Sequence, residues 1–312
     1  MKKEMTRLSV MILLLLYSSS VLADGIQLKI KGLEEGIVQG DVVLVSVTSS
    51  VKLTSLSALF EDKKLSLISF DGINYSTLFG IDMDKKPGEY SIRFKASSPN
   101  NDVVRETEFT VLPRKYRVEK LSLPEKMVAP DPATLRRTKR EGLMLRNVFV
   151  KNKKTRFWNG EFMLPVDGTV TNNFGARRIL NGVKKNPHTG VDVKAFKGKK
   201  VVSPNAGRVA LVDNLYYGGK TVIIDHGQGL YTSYMHLSKI LVNHGEEVKK
   251  GETIGLVGAT GRATGPHLHW SARLNYARVD PVSLLELFDD NTHGSGSSVA
   301  TNKKIDKIKL VN

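Results

Sequence analysis

The stretch 221–236 reads Thr-Val-Ile-Ile-Asp-His-Gly-Gln-Gly-Leu-Tyr-Thr-Ser-Tyr-Met-His. It contains two runs rich in β-branched and aromatic residues, which are separated by Gly227-Gln228-Gly229. Such residues favour strands, and the glycines favour a tight turn between them. Two similar runs, 199–204 and 207–212, precede this stretch and are also bounded by Gly, Asn or Pro. The sequence therefore predicts a mainly β, antiparallel domain with a groove across its sheet that fits an extended peptide.

The same region carries a concentrated set of candidate metal ligands and proton-transfer groups. They are His188, Asp192, His236, His267 and His269. The spacings within His188-Thr189-Gly190-Val191-Asp192 and within His267-Leu268-His269 are even, so on extended backbone each set points to one face. We therefore expect four of these five side chains to converge, although spacing alone does not separate the roles of His267 and His269.

Two imidazoles and one carboxylate suit a catalytic zinc, which keeps three protein ligands and an open fourth position. The chain contains no Cys. A closed, cysteine-rich structural zinc site is therefore excluded, as are thiol nucleophiles, and hard or borderline ligands must hold any metal. No His-Glu-x-x-His motif occurs, so a thermolysin-like site is not supported.

Further motifs surround these ligands. The stretch 164–177 reads Leu-Pro-Val-Asp-Gly-Thr-Val-Thr-Asn-Asn-Phe-Gly-Ala-Arg, 234–237 reads Tyr-Met-His-Leu, and glycines at 251, 255, 258, 261 and 265 lead to His267-Leu268-His269-Trp270. From about Leu164 to Leu287 the chain resembles the lysostaphin-type (LytM-like) zinc metallopeptidases, a family of peptidoglycan endopeptidases. One departure is Ser271, where the family commonly has Glu.

The resemblance implies that His188, Asp192 and His269 bind one zinc ion, and that His267 and His236 flank the reacting carbonyl. Bound zinc lowers the pKa of its water toward roughly 7. His267, with an unperturbed pKa near ~6.5, is the expected general base and returns the proton to the leaving amine. His236 is expected to donate to the developing oxyanion or to orient the water.

The resemblance also supplies the substrate, which is the peptide stems that crosslink bacterial glycan strands. The sequence has no recognisable bacterial SH3-type targeting domain, which favours a D-Ala to diaminopimelate bond over a pentaglycine bridge. Three alternatives stay open. They are a non-catalytic regulator that binds peptidoglycan or activates another hydrolase, an intact but autoinhibited enzyme, and a zinc amidase that cuts between muramic acid and L-Ala.

Three other histidines, His226, His244 and His293, carry no motif and are assigned to the surface or to a satisfied core. The glycines between positions 251 and 265 match neither nucleotide-binding fingerprint. Tight turns between strands explain them better than a phosphate cradle.

The N-terminus has the composition of a secretory signal peptide. Lys2, Lys3 and Arg7 precede an apolar run, and Val21-Leu22-Ala23 supplies small residues for cleavage before Asp24. The apolar run is too short to span a bilayer, so no transmembrane anchor is expected after cleavage. The predicted location is therefore the periplasm or the cell envelope, and nucleic acid is a poor fit as a partner.

Composition divides the chain into five parts. They are a signal peptide (1–23), a small β-sandwich-like domain (24–112), a basic and partly helical linker (113–160), the zinc metallopeptidase domain (161–288) and a flexible basic tail (289–312). The β-sandwich is a spacer, a wall-binding module, an inhibitory cap or a site for a regulatory partner. We expect a monomer, and we assign the tail no role.

The linker is the most basic part of the chain. Residues 113–156 contain 14 Lys and Arg against 4 Asp and Glu, which gives +10 of the formal +16. Asp131-Pro132 predicts an N-cap and a first helical position, with the helix ending near Asn147. The charge is either a solvated helical face or a surface for anionic partners such as peptidoglycan carboxylates or lipid headgroups. The segment 147–162 could fold back over the groove and inhibit it.

Overall fold

The computed structural model describes residues 25–122, 131–150, 155–184, 187–288 and 310–311. The predicted signal peptide, His293 and almost all of the predicted tail lie outside these ranges. The described chain is mostly β-structure, which confirms the predicted fold class. Within the described ranges, no helix combines the length and the apolar character that crossing a bilayer requires.

The N-terminal region forms two facing sheets. Their orders are β1-β3-β7-β6 and β2-β9-β8-β4-β5. The strands are β1 (Leu28–Lys31), β2 (Ile37–Val38), β3 (Val42–Ser49), β4 (Ser55–Phe60), β5 (Lys63–Leu65), β6 (Ile68–Ser69), β7 (Asn74–Gly80), β8 (Gly88–Ser97) and β9 (Asp102–Leu112). Alternate residues of β8, such as Ile92 and Phe94, are fully buried between the sheets. This period of two is what a half-buried strand requires, and the predicted sandwich is confirmed.

The C-terminal region is built on a nine-stranded sheet. Its order is β20-β16-β17-β18-β22-β14-β11-β24, and β23 pairs with β22. Two three-stranded sheets, β10-β12-β13 and β15-β21-β19, lie beside it. The strands are β10 (Val118–Leu121), β11 (Thr169–Thr171), β12 (Arg177–Leu180), β13 (Val183–Lys184), β14 (Gly190–Lys194), β15 (Lys200–Val202), β16 (Gly207–Leu215), β17 (Gly219–Gly227), β18 (Leu230–Leu237), β19 (Lys239–Ile240), β20 (Glu247–Val248), β21 (Thr253–Leu256), β22 (His267–Leu274), β23 (Ala277–Val279) and β24 (Leu310–Val311). A 3₁₀ helix spans Pro281–Leu285.

The two faces of the large sheet are covered differently. Val222, Ile224, Tyr234 and Trp270 point to one face and belong to the main core. Leu211, Ile223 and Tyr231 point to the other face, where they pack against a helix. The strands in the centre of the sheet are therefore apolar on both faces, which explains their nearly continuous hydrophobic sequence.

That helix, α1 (Pro132–Val150), is the predicted linker helix. The Asp131 carboxylate accepts hydrogen bonds from the amides of Ala133 (2.8 Å) and Thr134 (3.0 Å), which confirms the predicted N-cap. The helix ends one turn later than predicted because Phe149 still has a partner: its ring lies 5.5 Å from that of Tyr231. The apolar face of α1 thus extends to its last turn.

The other described parts of the predicted linker also contact the C-terminal region. Strand β10, which we did not predict, pairs in parallel with β12. After α1 the chain passes the β17–β18 turn, where the amide of Phe157 donates to the carbonyl of His226 (2.9 Å). Trp158 and Phe162 then enter the main core on the face opposite α1. Residues 155–162 therefore lie on the face opposite α1, whereas residues 147–150 form the last turn of α1. Inhibition by the segment 147–162 stays a prediction.

The N-terminal sandwich packs directly on the C-terminal region. Val42, Leu78 and Met83 belong to the same core cluster as Leu274 and Val279. Glycine fits closely at position 80, because a Cβ there would lie 2.9 Å from Val279 Cγ1 and would force that side chain to shift. The main core of the C-terminal region therefore extends onto the sandwich, whose own interior forms a separate cluster.

Ion pairs surround this shared core. Arg114, from the basic segment, pairs with Asp41 of the sandwich and, at 2.8 Å, with Asp280 before the 3₁₀ helix. Burial raises the pKa of Asp41 to about 6 although the Arg114 guanidinium opposes this. Arg278 binds Asp82 through two nitrogens, at 2.5 and 3.0 Å. Charged and apolar contacts thus join the sandwich to the C-terminal region.

Replacing Arg114 tests this interface. In Arg114→Met the carboxylates of Asp41 and Asp280 lose their shared cation, which should lower the free energy of unfolding by about 3–5 kcal/mol. Urea denaturation followed by fluorescence measures the change. Arg105→Met, at an exposed position of the sandwich, is the matched control and should stay within about 0.5 kcal/mol of the parent. Equal free energies of unfolding for the two variants would show that the ion pairs of Arg114 with Asp41 and Asp280 contribute nothing to stability.

Candidate active site

Pairing between β14 and β22 places two of the three predicted ligands, Asp192 and His269, side by side. Asp192 lies directly opposite His269 in this antiparallel pair. On the other side of β22, His269 lies opposite Met235 of β18. Directly paired residues share a face, so Asp192 and His269 project from the same face of the sheet. Gly190 allows the close approach there, since a Cβ would lie 2.4 Å from the Trp270 carbonyl oxygen.

His188 reaches the same point from outside the strand. It precedes β14, and two backbone hydrogen bonds fix it: its amide donates to Ala176 (3.0 Å), and its carbonyl accepts from Gly175 (2.7 Å). Its Nδ1 lies 3.0 Å from the carbonyl oxygen of Asn173. A carbonyl only accepts, so Nδ1 carries the proton and Nε2 presents its lone pair to the other ligands.

The three donor atoms form a compact triangle. His188 Nε2 lies 2.9 Å from His269 Nδ1 and 3.3 Å from Asp192 Oδ1, and His269 Nδ1 lies 3.0 Å from Asp192 Oδ1. Donor atoms about 2.0–2.1 Å from one tetrahedral zinc would lie about 3.3 Å apart. The triangle is close to that size, and its two nitrogens and one oxygen suit zinc. The residues therefore fit the ion that the sequence predicts.

The electrostatics of the triangle favour metal-binding protonation states. Burial alone would raise the pKa of Asp192, but the neighbouring imidazoles of His188 and His269 outweigh burial and hold this pKa well below its usual range. Burial lowers the pKa of His269 to about 4. The carboxylate is thus ionised and His269 neutral near pH 7, which are the forms that ligate metals.

Asn173 is a site residue to which sequence reasoning assigned no role. Its side-chain nitrogen donates to Asp192 Oδ2 (2.9 Å), and its side-chain oxygen accepts from the Asp192 amide (3.2 Å). Its main-chain carbonyl also holds His188. One buried asparagine therefore orients two of the three ligands, as outer partners of metal sites commonly do. Asn173 lies within the quoted stretch 164–177, but spacing along the sequence gave no sign of these contacts.

The other two predicted residues lie beside the triangle. The rings of His236 and His267 are 4.7 Å apart, and His267 Nε2 lies 3.7 Å from Asp192 Oδ1. His236 Nδ1 lies 2.8 Å from the carbonyl oxygen of Thr260, and His267 Nδ1 lies 2.9 Å from that of Gly265. Loop 259–266 therefore holds both rings by Nδ1 and leaves both Nε2 atoms available.

The backbone of His236 is left-handed, with φ of 64°. This conformation coincides with a shift in the β17–β18 register, between the pairs Val222–Tyr234 and Lys220–Leu237. The His236 amide donates to the carbonyl of Gly218 (2.7 Å), which fixes the strained residue. Burial lowers the pKa of His236, so its ring is neutral near pH 7. All five predicted side chains thus meet at one place.

Loop 216–218 connects this place to α1. The Tyr216 amide donates to both carboxylate oxygens of Glu141 (3.0 and 3.2 Å), the Tyr217 carbonyl accepts from Arg262 (2.9 Å), and the Gly218 carbonyl holds His236. Glu141 is itself held by Arg137 at 2.7 Å. Sequence reasoning missed Glu141, because nothing in a helix sequence shows which distant loop it supports.

The unassigned histidines behave as expected where they are described. His226 is fully buried, its two ring nitrogens lie 2.8 Å from the Ala206 carbonyl oxygen and 2.7 Å from Thr232 Oγ1, and burial lowers its pKa to about 4. His226 is therefore a satisfied core residue. His244 is exposed.

Metal binding by the triangle can be measured directly. We expect one Zn²⁺ per chain by isothermal titration, lost in His269→Ala and retained in His267→Ala. Affinity should fall as pH drops toward about 4, where protons compete for His269. His244→Ala is the surface control. Equal zinc affinity in His269→Ala and the parent would rule out this ligand set.

Glu141 should act as a positioning residue. In Glu141→Ala, loop 216–218 loses its contact with α1, and His236 loses the support of that loop. The kcat for peptide hydrolysis should therefore fall roughly 10–100-fold, because small misplacements of reacting groups slow catalysis by such factors. Zinc affinity should not change, because no ligand contacts this loop. Glu141→Gln keeps an acceptor for the Tyr216 amide and should retain most activity. Full activity in Glu141→Ala would show that the contact between Glu141 and loop 216–218 does not support catalysis.

Comparison with known proteins agrees with this geometry. Residues 186–281 match Peptidase family M23. Peptidoglycan DD-endopeptidase ShyA of Vibrio cholerae is 44% identical over 125 residues, covering 39% of this chain and 28% of ShyA. DD-carboxypeptidase/endopeptidase Mpg of Neisseria meningitidis is 38% identical over 117 residues, covering 38% of this chain and 27% of Mpg. The chain thus spans about a quarter of the length of these relatives.

One solved structure matches over much more of the chain. The crystal structure of a candidate peptidase M23 from Pseudomonas aeruginosa is 31% identical, covers 80% of this chain and 96% of its own length, and has a TM-score of 0.63. The likeness therefore extends well beyond residues 186–281. By its motifs, its fold and this match, the chain belongs to peptidase family M23, the LytM-like peptidases.

Proposed function

We propose that the protein is an exported zinc endopeptidase that hydrolyses peptide crosslinks of bacterial peptidoglycan, with the D-Ala to diaminopimelate bond as its target. The observation that carries the proposal is the triangle of His188, Asp192 and His269 beside two histidines whose Nε2 atoms are available. The names of ShyA and Mpg support the substrate. The predicted signal peptide supports a periplasmic or envelope location.

The mechanism assigns each group an atom. Zinc held by the triangle would polarise the scissile carbonyl and lower the pKa of a water molecule. His267 accepts the proton of the attacking water at Nε2, since Gly265 keeps the proton of the neutral ring on Nδ1. The resulting imidazolium lies near the Asp192 carboxylate, at 3.7 Å, which stabilises it. His267 then gives the proton to the leaving amine.

The protonation of His236 favours one of its two predicted roles. Its Nδ1 proton points to the Thr260 carbonyl, and burial keeps the ring neutral. Nε2 of such a ring accepts hydrogen bonds and donates none. His236 therefore orients the attacking water, whereas donation to an oxyanion would require the charged ring.

A second candidate is the same enzyme in an autoinhibited form. It is favoured by α1, which packs on Leu211, Ile223 and Tyr231. By register these residues share a face of the sheet with His269. The helix therefore lies on the side of the sheet that carries the candidate metal ligands, and a partner that displaced it would increase access to that side. Comparing the parent with a Phe149→Ala variant, which loosens α1, distinguishes the two: higher activity in the variant indicates inhibition.

Mass spectrometry of crosslinked peptidoglycan after incubation tests the main proposal. We expect dimeric muropeptides to become monomers, with loss of this activity after EDTA treatment. His267→Ala should bind zinc but lose about 10²–10⁴-fold in rate, the usual value of general-base catalysis. A new amine on L-Ala would instead identify an amidase. No product from zinc-loaded protein would favour a binding regulator.

A further inference from the structure

The outer surface of α1 carries one sign of charge. Arg136, Lys139, Arg140 and Arg146 are all exposed there. The helix contains a single acidic residue, Glu141, and this residue is turned toward Tyr216. At 100° per residue the four cations fall within an arc of about 120°. We call these four residues the basic face of α1.

The basic face lies on the same side of the molecule as the zinc ligands. Opposite residues in antiparallel strands share a face, and Tyr231 is opposite Arg273 of β22. Arg273 and His269 are four positions apart in β22 and therefore point the same way. Phe149 of α1 contacts both Tyr231 and Arg273, at 5.5 and 5.4 Å from ring to ring and from guanidinium to ring. Any large substrate that reaches His269 must therefore approach the side on which α1 lies.

We propose that the basic face of α1 is a docking surface for the acidic glycan–peptide polymer, separate from the groove in which the peptide bond is cut. This inference rests on the proposed function, since it takes peptidoglycan as the substrate. The free carboxylates of its uncut stems repeat along the polymer, so several can meet the four cations together. Docking would hold the polymer near the groove and raise the local concentration of crosslinks.

The position of the face decides between this polymer and an anionic membrane. Leu135 and Leu143, 45% and 61% exposed, lie among the cations and would also suit a lipid surface. A bilayer seated on α1, however, would cover the side of the sheet from which His269 projects. A polymer strand can contact the helix and enter the groove at once.

Polymer docking has a signature that a role in chemistry lacks. Cleavage of intact, insoluble peptidoglycan should depend on the basic face, whereas cleavage of a small soluble muropeptide dimer should not. The effect should also vanish at high salt, because exposed charges are screened. Loss of helix structure would instead affect both substrates through Glu141.

The test is the variant Arg136→Gln/Lys139→Gln/Arg140→Gln/Arg146→Gln, in which glutamine keeps a high helix propensity. The matched control neutralises four exposed cations of the sandwich: Lys63→Gln/Lys64→Gln/Lys95→Gln/Arg105→Gln. Co-sedimentation with purified sacculi near physiological salt measures binding. We expect the α1 variant to bind roughly ten-fold more weakly, each exposed pair contributing modestly, and the control to bind like the parent.

Hydrolysis is then followed on both substrates. The α1 variant should cut sacculi several-fold more slowly and soluble dimers at the parental rate. Equal binding by the variant and the parent would overturn the proposal, as would loss of binding to anionic phosphatidylglycerol vesicles with sacculus binding unchanged. If the parent binds sacculi through α1 but cuts neither substrate, docking stands and the proposed enzymatic function fails.

Discussion

The pairing of β14 with β22 is the constraint on which the site depends. It sets Asp192 opposite His269 and gives His188 the carboxylate against which its ring packs. A slip of one residue would turn every side chain of one strand to the other face and separate the carboxylate from the imidazole. The register is secure because the alternate residues Val191, Val193, Leu268 and Trp270 fill the core. Hydrophobic burial on one face therefore fixes the chemistry on the other.

Sequence spacing predicted what depends on local periodicity. The even separation of His267 and His269 placed both on one face, and the β-rich runs predicted the strands of the central sheet. Spacing did not predict how distant segments meet. Asn173 holds His188 through a main-chain contact and Asp192 through a side-chain contact, and spacing along the sequence indicates neither. The place of α1 on the sheet follows from the faces of three strands, which becomes known only with their register.

The described parts of the predicted linker belong to the folded unit. Strand β10 joins the sheet of β12, α1 covers Ile223 and Tyr231, and Trp158 enters the main core. The region that matches Peptidase family M23 therefore depends on segments outside it. Glu141 shows how specific this dependence is, because it supports a loop that holds His236. Basic composition alone suggested a solvated helical face or a surface for anionic partners, since the charges on the outer face of α1 obscure its apolar inner face.

The left-handed backbone conformation of His236 affects which substitutions its surroundings tolerate. A non-glycine residue in this region stores roughly 1–2 kcal/mol of backbone strain, and hydrogen bonds to Gly218 and Thr260 maintain it. The direction of the ring is thus set by the main chain more than by neighbouring side chains. Side chains around His236 can consequently be replaced without turning its imidazole away from the triangle of candidate metal ligands.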